Sequence, residues 1–313
     1  MSIINNTQKV IEKDMQPSMQ VNISQVTSAD GTLIGYRQIG SGPGLILVHG
    51  GMMASQNFKE LAALLSDAFT VYVPDRRGRG LSGPHGANYC LARECEDIEA
   101  LVQKTGAQNI FGLSSGAIVV MQTALTLPSI RKVALYEPPL PVKSSSLTAW
   151  TPRFNEEIAR GDLAAAMVTV MKGTADSTLV SLLPRFMLIP FMRFAIEVEA
   201  GEIHGDDVPL KALIPTMYFD PQLVVEMEGE LETFRDLRAE VLLLGGSKSQ
   251  PYLKAAIDSL STILPNAKRF EFPGLGHLAA DNGGQPERVA RELRSFFSTN
   301  PERVGGRVAR RLA

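Results

Sequence analysis

The sequence has few of the residues that build disulfide scaffolds or metal centres. Its 313 residues include only 2 cysteines, Cys90 and Cys95, which are too few to hold a fold together by disulfides. No HExxH or CxxC pattern occurs, nor any paired set of cysteines and histidines with zinc-site spacing. We therefore expect no metal centre. The 4 histidines are scattered singly along the chain: His49, His85, His204 and His277.

A strong charge of one sign and long apolar runs are also missing. The chain has 31 basic and 33 acidic residues, a net charge of −2, which argues against nucleic acid and membrane surfaces as partners. No apolar run approaches the roughly 20 residues that span a bilayer. Residues 1–20 are polar, without the apolar core of a signal peptide, and are predicted to form a flexible leader. We expect a cytoplasmic protein that acts on a small molecule, either as a monomer or as a homodimer.

Short apolar runs alternate with amphipathic segments over residues 21–137 and again over residues 236–300. This alternation predicts an α/β core with a mostly parallel sheet, because buried parallel strands form continuous apolar runs. Residues 138–235 show helical patterns broken by prolines and hold 6 of the 12 methionines, which predicts an inserted helical unit. Residues 301–313 contain 4 arginines and few apolar residues, so we expect a disordered tail.

One pentapeptide carries the strongest chemical signal. Gly112-Leu113-Ser114-Ser115-Gly116 is a G-x-S-x-G that follows a predicted strand and opens a predicted helix. A sharp strand-to-helix turn of this kind exposes a serine hydroxyl, which makes Ser114 the candidate nucleophile. The alternative is an ordinary loop in which Ser114 caps the helix.

A second glycine-rich turn, His49-Gly50-Gly51, ends the predicted strand at Leu45–Val48. A loop in this position can supply a backbone N–H to a developing oxyanion, and we assign the two donors to Gly51 and Ser115. The alternative is a simple tight turn. His49 itself is interpreted as a structural residue.

The candidate base is His277, which follows Gly274-Leu275-Gly276 after the last predicted strand. A histidine on such a loop can reach a nucleophile on another strand. His85 and His204 lie in polar loops and are expected to be solvated.

Together with the run from Pro74 to Ser82, PDRRGRGLS, these motifs make residues 21–300 resemble α/β-hydrolase-fold enzymes. The resemblance implies an eight-stranded, mostly parallel sheet flanked by helices, with a helical cap inserted after the sixth strand. Residues 138–235 fall where that cap belongs.

The sequence departs from the family at the usual position of the triad carboxylate. The segment after the seventh strand has Lys248 where the family has an acid. Some members carry the carboxylate after the sixth strand, which would make Glu137 the third member of the triad. Asp258 or Asp281 could approach His277 instead, or the triad could be incomplete.

These residues predict a serine hydrolase that cleaves a carboxylic ester or lactone through an acyl-enzyme, without a cofactor. A carbon–carbon bond hydrolase on the same triad is one alternative. A ligand-binding protein or cyclase on a hydrolase scaffold is another, and Lys248 is the residue that favours it. Six residues are predicted to line an apolar pocket, although such residues more often form helix core: Met52, Trp150, Met187, Phe191, Met192 and Met217.

Overall fold

The computed structural model describes residues 20–142, 147–174, 182–203 and 205–298. Its centre is a sheet of eight strands in the order β1-β2-β4-β3-β5-β6-β7-β8. β2 pairs antiparallel with both β1 and β4, and the remaining pairs are parallel. The predicted α/β fold with a mostly parallel sheet is therefore confirmed. The strands are β1 Asn22–Thr27, β2 Leu33–Ile39, β3 Gly44–Val48, β4 Thr70–Pro74, β5 Asn109–Leu113, β6 Lys132–Tyr136, β7 Glu240–Gly246 and β8 Lys268–Phe272.

Helices cover both faces of this sheet. The helices at Leu91–Thr105, Ser115–Thr126 and Pro251–Ile263 pack on one face of the strands. The helices at Lys59–Leu65 and Pro286–Ser298 pack on the other. β3 shows why its residues form a continuous apolar run: Ile46 and Val48 enter one core, and Leu45 and Leu47 the other. The helices are α1 Lys59–Leu65, α2 Leu91–Thr105, α3 Ser115–Thr126, α4 Thr151–Ala159, α5 Leu163–Thr174, α6 Arg185–Glu202, α7 Leu210–Leu213, α8 Asp220–Glu226, α9 Pro251–Ile263 and α10 Pro286–Ser298.

One core helix is shorter than its apolar spacing suggests. The sequence predicts a helix over Phe58–Phe69, but α1 ends at Leu65 and follows a 3₁₀ turn at Ser55–Phe58. The backbone N–H of Phe69 still bonds to the carbonyl of Leu65, 3.1 Å away, and the chain then enters β4. Phe69 is apolar because it is buried in the core after that turn. In the sequence, its position therefore continues the apolar spacing of α1 although it lies outside the helix.

Helices α4 to α8 lie between β6 and β7 in the chain. Helices α4 to α7 and the turn after them share a small apolar core of their own, whereas Leu223 and Val224 of α8 join the core beside α2 and α3. Phe154, Ile196 and Ile214 are buried at the centre of the small core. No helix among the described residues is both long and apolar enough to cross a bilayer. The predicted leader, apart from Gln20, and the predicted tail at 301–313 lie outside the described residues.

Candidate active site

Ser114 lies between the last residue of β5 and the first residue of α3, on a strained turn. Its φ of 55° and ψ of −126° are rarely adopted by a residue with a side chain. Its N–H donates to the carbonyl of Tyr136 at the end of the adjacent strand β6, over 2.9 Å. The side chain is partly exposed, so the turn leaves its hydroxyl within reach of a ligand.

The flanking glycines are required by close backbone packing. A Cβ on Gly112 would lie 2.6 Å from the Cα of Ala117 in α3. A Cβ on Gly116 would lie 2.4 Å from the carbonyl oxygen of His49. The G-x-S-x-G pattern therefore allows α3 to start directly against β3 and β5.

Glu137 and His277 meet beside this turn. Glu137 follows β6, is only 1% exposed, and its Oε2 lies 2.8 Å from Nδ1 of His277. Its other oxygen, Oε1, accepts the N–H of Gly246 over 2.6 Å. With Glu137 ionised, Nδ1–H of the neutral imidazole donates to it, which leaves Nε2 as the basic nitrogen.

The segment after β7, where the family usually has its acid, supports the histidine loop through its backbone. The N–H of Lys248 donates to the carbonyl of Leu275 over 2.8 Å, and the side chain of Lys248 is exposed. Of the other acids considered, Asp258 pairs with Arg269 at 2.6 Å. Asp281 accepts from Asn57 at 3.2 Å and from the N–H of Gly283 at 3.1 Å. The structure thus brings Glu137 to the imidazole and gives Asp258 and Asp281 other partners.

The two assigned oxyanion donors lie on either side of the turn. Ser115 begins α3, so its N–H has no acceptor within the helix. A Cβ on Gly50 would lie 3.0 Å from Cβ of Ser114, which brings the loop of Gly50 and Gly51 against the serine. Among the described residues, three non-glycine residues have a positive φ: Met52, Ser114 and Glu137.

A buried ionic cluster that the sequence did not reveal lies behind both donors. Oδ1 of Asp220, at the start of α8, accepts from Oγ of Ser115 over 2.7 Å and from Arg76 over 2.9 Å. Its Oδ2 accepts from Arg79 over 2.6 Å. Asp220 also packs on the loop of Gly50 and Gly51, which we call the oxyanion loop after its proposed role. A Cβ on Gly51 would lie 3.2 Å from Cγ of Asp220. Burial opposes ionisation of Asp220, but the charges of Arg79 and Arg76 outweigh it and hold its pKa well below the usual range.

His49 is fully buried and hydrogen-bonded on both nitrogens. Nδ1 lies 3.0 Å from the carbonyl of Gly50, and Nε2 accepts the N–H of Arg76 over 3.2 Å, which fits one neutral tautomer. Burial and the nearby charges of Arg79 and Arg76 hold the pKa of His49 well below its ordinary value. This arrangement agrees with a structural rather than a basic role.

His85 is not simply solvated, so that prediction is wrong. Its ring stacks on Phe219 with centroids 3.7 Å apart and meets Tyr89 edge-on at 5.2 Å. The reason is tertiary: Phe219 comes from the chain between β6 and β7, which covers the loop of His85. Burial, and then the charge of Arg79, lower the pKa of His85 to about 4. His204 lies outside the described residues.

The predicted pocket residues divide into two groups. Met52, Trp150, Met192 and Met217 pack on the apolar core shared by α4 to α7, in keeping with the helix-core alternative. Met217 also reaches the oxyanion loop, because its Sδ would lie 2.9 Å from a Cβ on Gly51.

The other two, Met187 and Phe191, lie on the opposite side of α6 from Met192. Their side chains are 53% and 67% exposed. The structure therefore does not bring these two residues to the oxyanion loop.

Among the described residues, no group of three or more histidine, cysteine, aspartate or glutamate side chains could hold a metal ion. Glu137, which follows the strand adjacent to that of Ser114, lies 2.8 Å from the imidazole of His277, and the loop of Gly50 and Gly51 packs on Ser114. This arrangement can perform nucleophilic acyl transfer.

Comparison with known proteins agrees with the fold. The chain is 25% identical over 292 residues to the 2-(acetamidomethylene)succinate hydrolase of Mesorhizobium japonicum, covering 92% of this chain and 97% of that protein. It is 24% identical over 250 residues to the pimeloyl-(acyl-carrier protein) methyl ester esterase of Chromobacterium violaceum, covering 76% and 89%. The structure of an α/β hydrolase from Sphaerobacter thermophilus superposes with a TM-score of 0.70 at 27% identity, covering 88% of this chain and 100% of that one. The sequence profile of the Alpha/beta hydrolase family matches residues 45–292, and this chain belongs to that family.

Proposed function

We propose that this protein is a serine hydrolase that cleaves an uncharged carboxylic ester or lactone through an acyl-enzyme. Ser114 is the nucleophile, His277 the general base and Glu137 the acid that orients it. Oγ of Ser114 attacks the carbonyl carbon while Nε2 of His277 takes its proton, and the N–H groups of Gly51 and Ser115 stabilise the oxyanion. His277 then gives the proton to the leaving alcohol, and a water activated in the same way releases the acid.

The hydrogen bond between Glu137 and His277 carries this proposal. It joins a carboxylate that is 1% exposed to the imidazole nitrogen remote from the reacting one, over 2.8 Å. A carboxylate in that position fixes the tautomer and stabilises the imidazolium that forms during attack. It also removes the main argument for a retired, non-hydrolytic scaffold, because Lys248 is not the group that contacts the imidazole.

The choice of an ester or lactone rests on the surroundings of the oxyanion loop. Met52 and Met217 lie beside it, and the charged Asp220 is already neutralised by two arginines. This environment favours an uncharged acyl group. The two curated relatives are named for an acetamidomethylene succinate and for a methyl ester, so a carbon–carbon or amide substrate on the same triad is tested beside esters.

The test is hydrolysis of short-chain p-nitrophenyl esters, lactones, a p-nitroanilide as the amide and a β-diketone as the carbon–carbon substrate by the wild type, Ser114→Ala and Glu137→Gln, alongside labelling by a fluorophosphonate. We expect Ser114→Ala to lose activity by roughly 10⁴–10⁶-fold and all labelling. Glu137→Gln should lose roughly 10³–10⁴-fold in kcat, because the amide favours the wrong imidazole tautomer.

Matched substitutions at exposed positions control for general damage. Ser41 and Asp258 are exposed and lie away from the turn of Ser114. Ser41→Ala and Asp258→Asn should therefore keep wild-type rates. Labelling of Ser114→Ala would contradict the nucleophile. A wild type that labels at Ser114 but cleaves only a carbon–carbon or amide substrate would keep the triad and overturn the ester assignment. Full activity of Glu137→Gln would overturn the role of the acid.

A further inference from the structure

The outer side of α6 carries an apolar stripe that no other described element covers. Its members recur at helical spacing, so they fall on one side of the helix. Ile189, Met192 and Ile196, on the other side, pack inward. We call the exposed set the α6 stripe; its residues, with their exposed fractions, are Phe186 75%, Met187 53%, Phe191 67%, Phe194 69% and Val198 43%.

The α6 stripe is comparable in area to the largest apolar patch on a typical monomer. An aromatic side chain can bury about 150–250 Å². The three phenylalanines, exposed by 67% to 75%, therefore offer roughly 300–500 Å² per copy before the other two side chains are added. The largest apolar patch on a typical monomer is about 300–600 Å², and a stable interface needs about 1,200–2,000 Å² from both partners together. Two α6 stripes packed on each other approach that area.

Charges beside the α6 stripe indicate what covers it. Arg193, 64% exposed, and Glu197, one turn later, lie along the same border of the stripe. A two-fold axis perpendicular to α6 would run the helices of two copies antiparallel and bring this border of each copy together. Arg193 of each copy would then lie beside Glu197 of the other, twice, whereas a parallel two-fold pair would place these borders on opposite sides of the interface and lose both ion pairs.

The same charges argue against a lipid surface as the occupant. The exposed charged residues of α6 are one arginine, Arg193, and two glutamates, Glu197 and Glu202. Interfacial helices carry basic residues on their polar side because membrane surfaces are anionic. The chain as a whole also has a net charge of −2.

We propose that the α6 stripe is the interface of a two-fold symmetric homodimer in which α6 packs antiparallel against α6 of a second copy. Arg193 currently makes one long contact with Asp162, 3.4 Å away, and its guanidinium has donors to spare for a second carboxylate.

Sedimentation velocity of the full chain over a range of micromolar concentrations tests the interface. We expect a wild-type dimer that Phe194→Lys dissociates, raising the dissociation constant by roughly 100-fold or more, because it buries an unpaired charge. Val225→Lys is the matched control, since Val225 in α8 is 48% exposed and lies outside the α6 stripe. Circular dichroism confirms that both variants fold.

A charge exchange tests the identity of the occupant. Arg193→Glu should raise the dissociation constant roughly 10-fold, and Arg193→Glu with Glu197→Arg should restore it to within about threefold. A wild-type monomer, a dimer that survives Phe194→Lys, or an exchange that restores nothing would each overturn the proposal. A monomer that sediments with vesicles of phosphatidylcholine and phosphatidylserine, and loses that binding with Phe194→Lys, would assign the α6 stripe to a lipid surface instead.

Discussion

Met52, Ser114 and Glu137 share a positive φ, a backbone conformation that non-glycine residues rarely adopt. Each follows the carboxyl end of a central strand, namely β3, β5 and β6. Such conformations cost of order 1–3 kcal/mol each and persist only where the surroundings impose them. The strain is therefore concentrated in the residues around the proposed nucleophile, oxyanion loop and acid, where it fixes the direction of side chains.

Asp220 joins the core to the chain between β6 and β7 through its charge. It pairs with Arg76 at 2.9 Å and Arg79 at 2.6 Å, and all three side chains are at most 2% exposed. We expect Asp220→Asn to lower the free energy of unfolding by about 3–5 kcal/mol, because it leaves the buried guanidinium of Arg79 without its carboxylate, while Arg76 keeps Glu94 at 2.7 Å. Urea unfolding followed by circular dichroism measures this loss.

The same substitution at an exposed ion pair provides the control. Asp258 and Arg269 lie 2.6 Å apart with side chains 64% and 39% exposed. Asp258→Asn should change the free energy of unfolding by only about 0–1 kcal/mol, since water screens the pair. Equal effects of the two substitutions would show that the buried cluster is not specially dependent on its carboxylate.

Sequence patterns indicated the candidate site residues that neighbour glycines or end strands, and missed those placed by tertiary packing. Ser114 and His277 follow from glycine-rich turns after apolar strands. Asp220 gave no signal, because 105 residues separate it from Ser115 in the chain. His85 was assigned to solvent for the same reason, since its partner Phe219 comes from a distant segment.

At the scale of elements, the junction of β3, β5 and α3 depends on the absence of one side chain. A Cβ on Gly116 would lie 2.4 Å from the carbonyl oxygen of His49 and 2.6 Å from that of Val48. Because both atoms belong to the backbone, neither can move aside cheaply. We expect Gly116→Ala to lower the free energy of unfolding by at least about 1–3 kcal/mol, measured by urea unfolding.

Gly201, in α6, is the matched comparison. A Cβ there meets no atom within 4 Å, and its φ is not in the left-handed region. Gly201→Ala should therefore raise the free energy of unfolding by about 0.4–1 kcal/mol, since alanine restricts the unfolded chain. If Gly116→Ala were as stable as Gly201→Ala, the close approach of α3 to β3 would not constrain this junction.

The core elements were predictable because their periodicity is local, whereas the role of the inserted helices was not. The apolar runs predict strands over Lys132–Tyr136 and Lys268–Phe272, which are the bounds of β6 and β8. The amphipathic spacing predicts a helix over Ala92–Thr105, and α2 begins one residue earlier. In α6, both sides are apolar, so spacing alone could not separate the inward Met192 from the outward Phe191. Which side faces the protein was decided by packing against α5, which is encoded elsewhere in the chain.

At the scale of the whole molecule, folding buries two neutral histidines beside arginines. The pKa of His85 falls from its ordinary value of 6.5 to about 4, by burial and then by the charge of Arg79. The pKa of His49 is also lowered, first by burial. Between pH 6.5 and pH 4, His85 and His49 therefore bind more protons in the unfolded chain than in the folded one. Their contribution to stability accordingly rises with pH in this window and is lost as the pH falls through it.

His85→Phe should reduce this acid sensitivity. Phenylalanine can keep the stacking on Phe219, whose centroid lies 3.7 Å from that of the imidazole, but it takes up no proton when the chain unfolds. We expect the free energy of unfolding of His85→Phe to fall less steeply than that of the wild type from pH 6.5 to pH 4. Urea unfolding at several pH values measures both curves, and the carboxylates and His49 affect them equally. Parallel curves would mean that His85 takes up its proton as readily in the folded protein as in the unfolded chain.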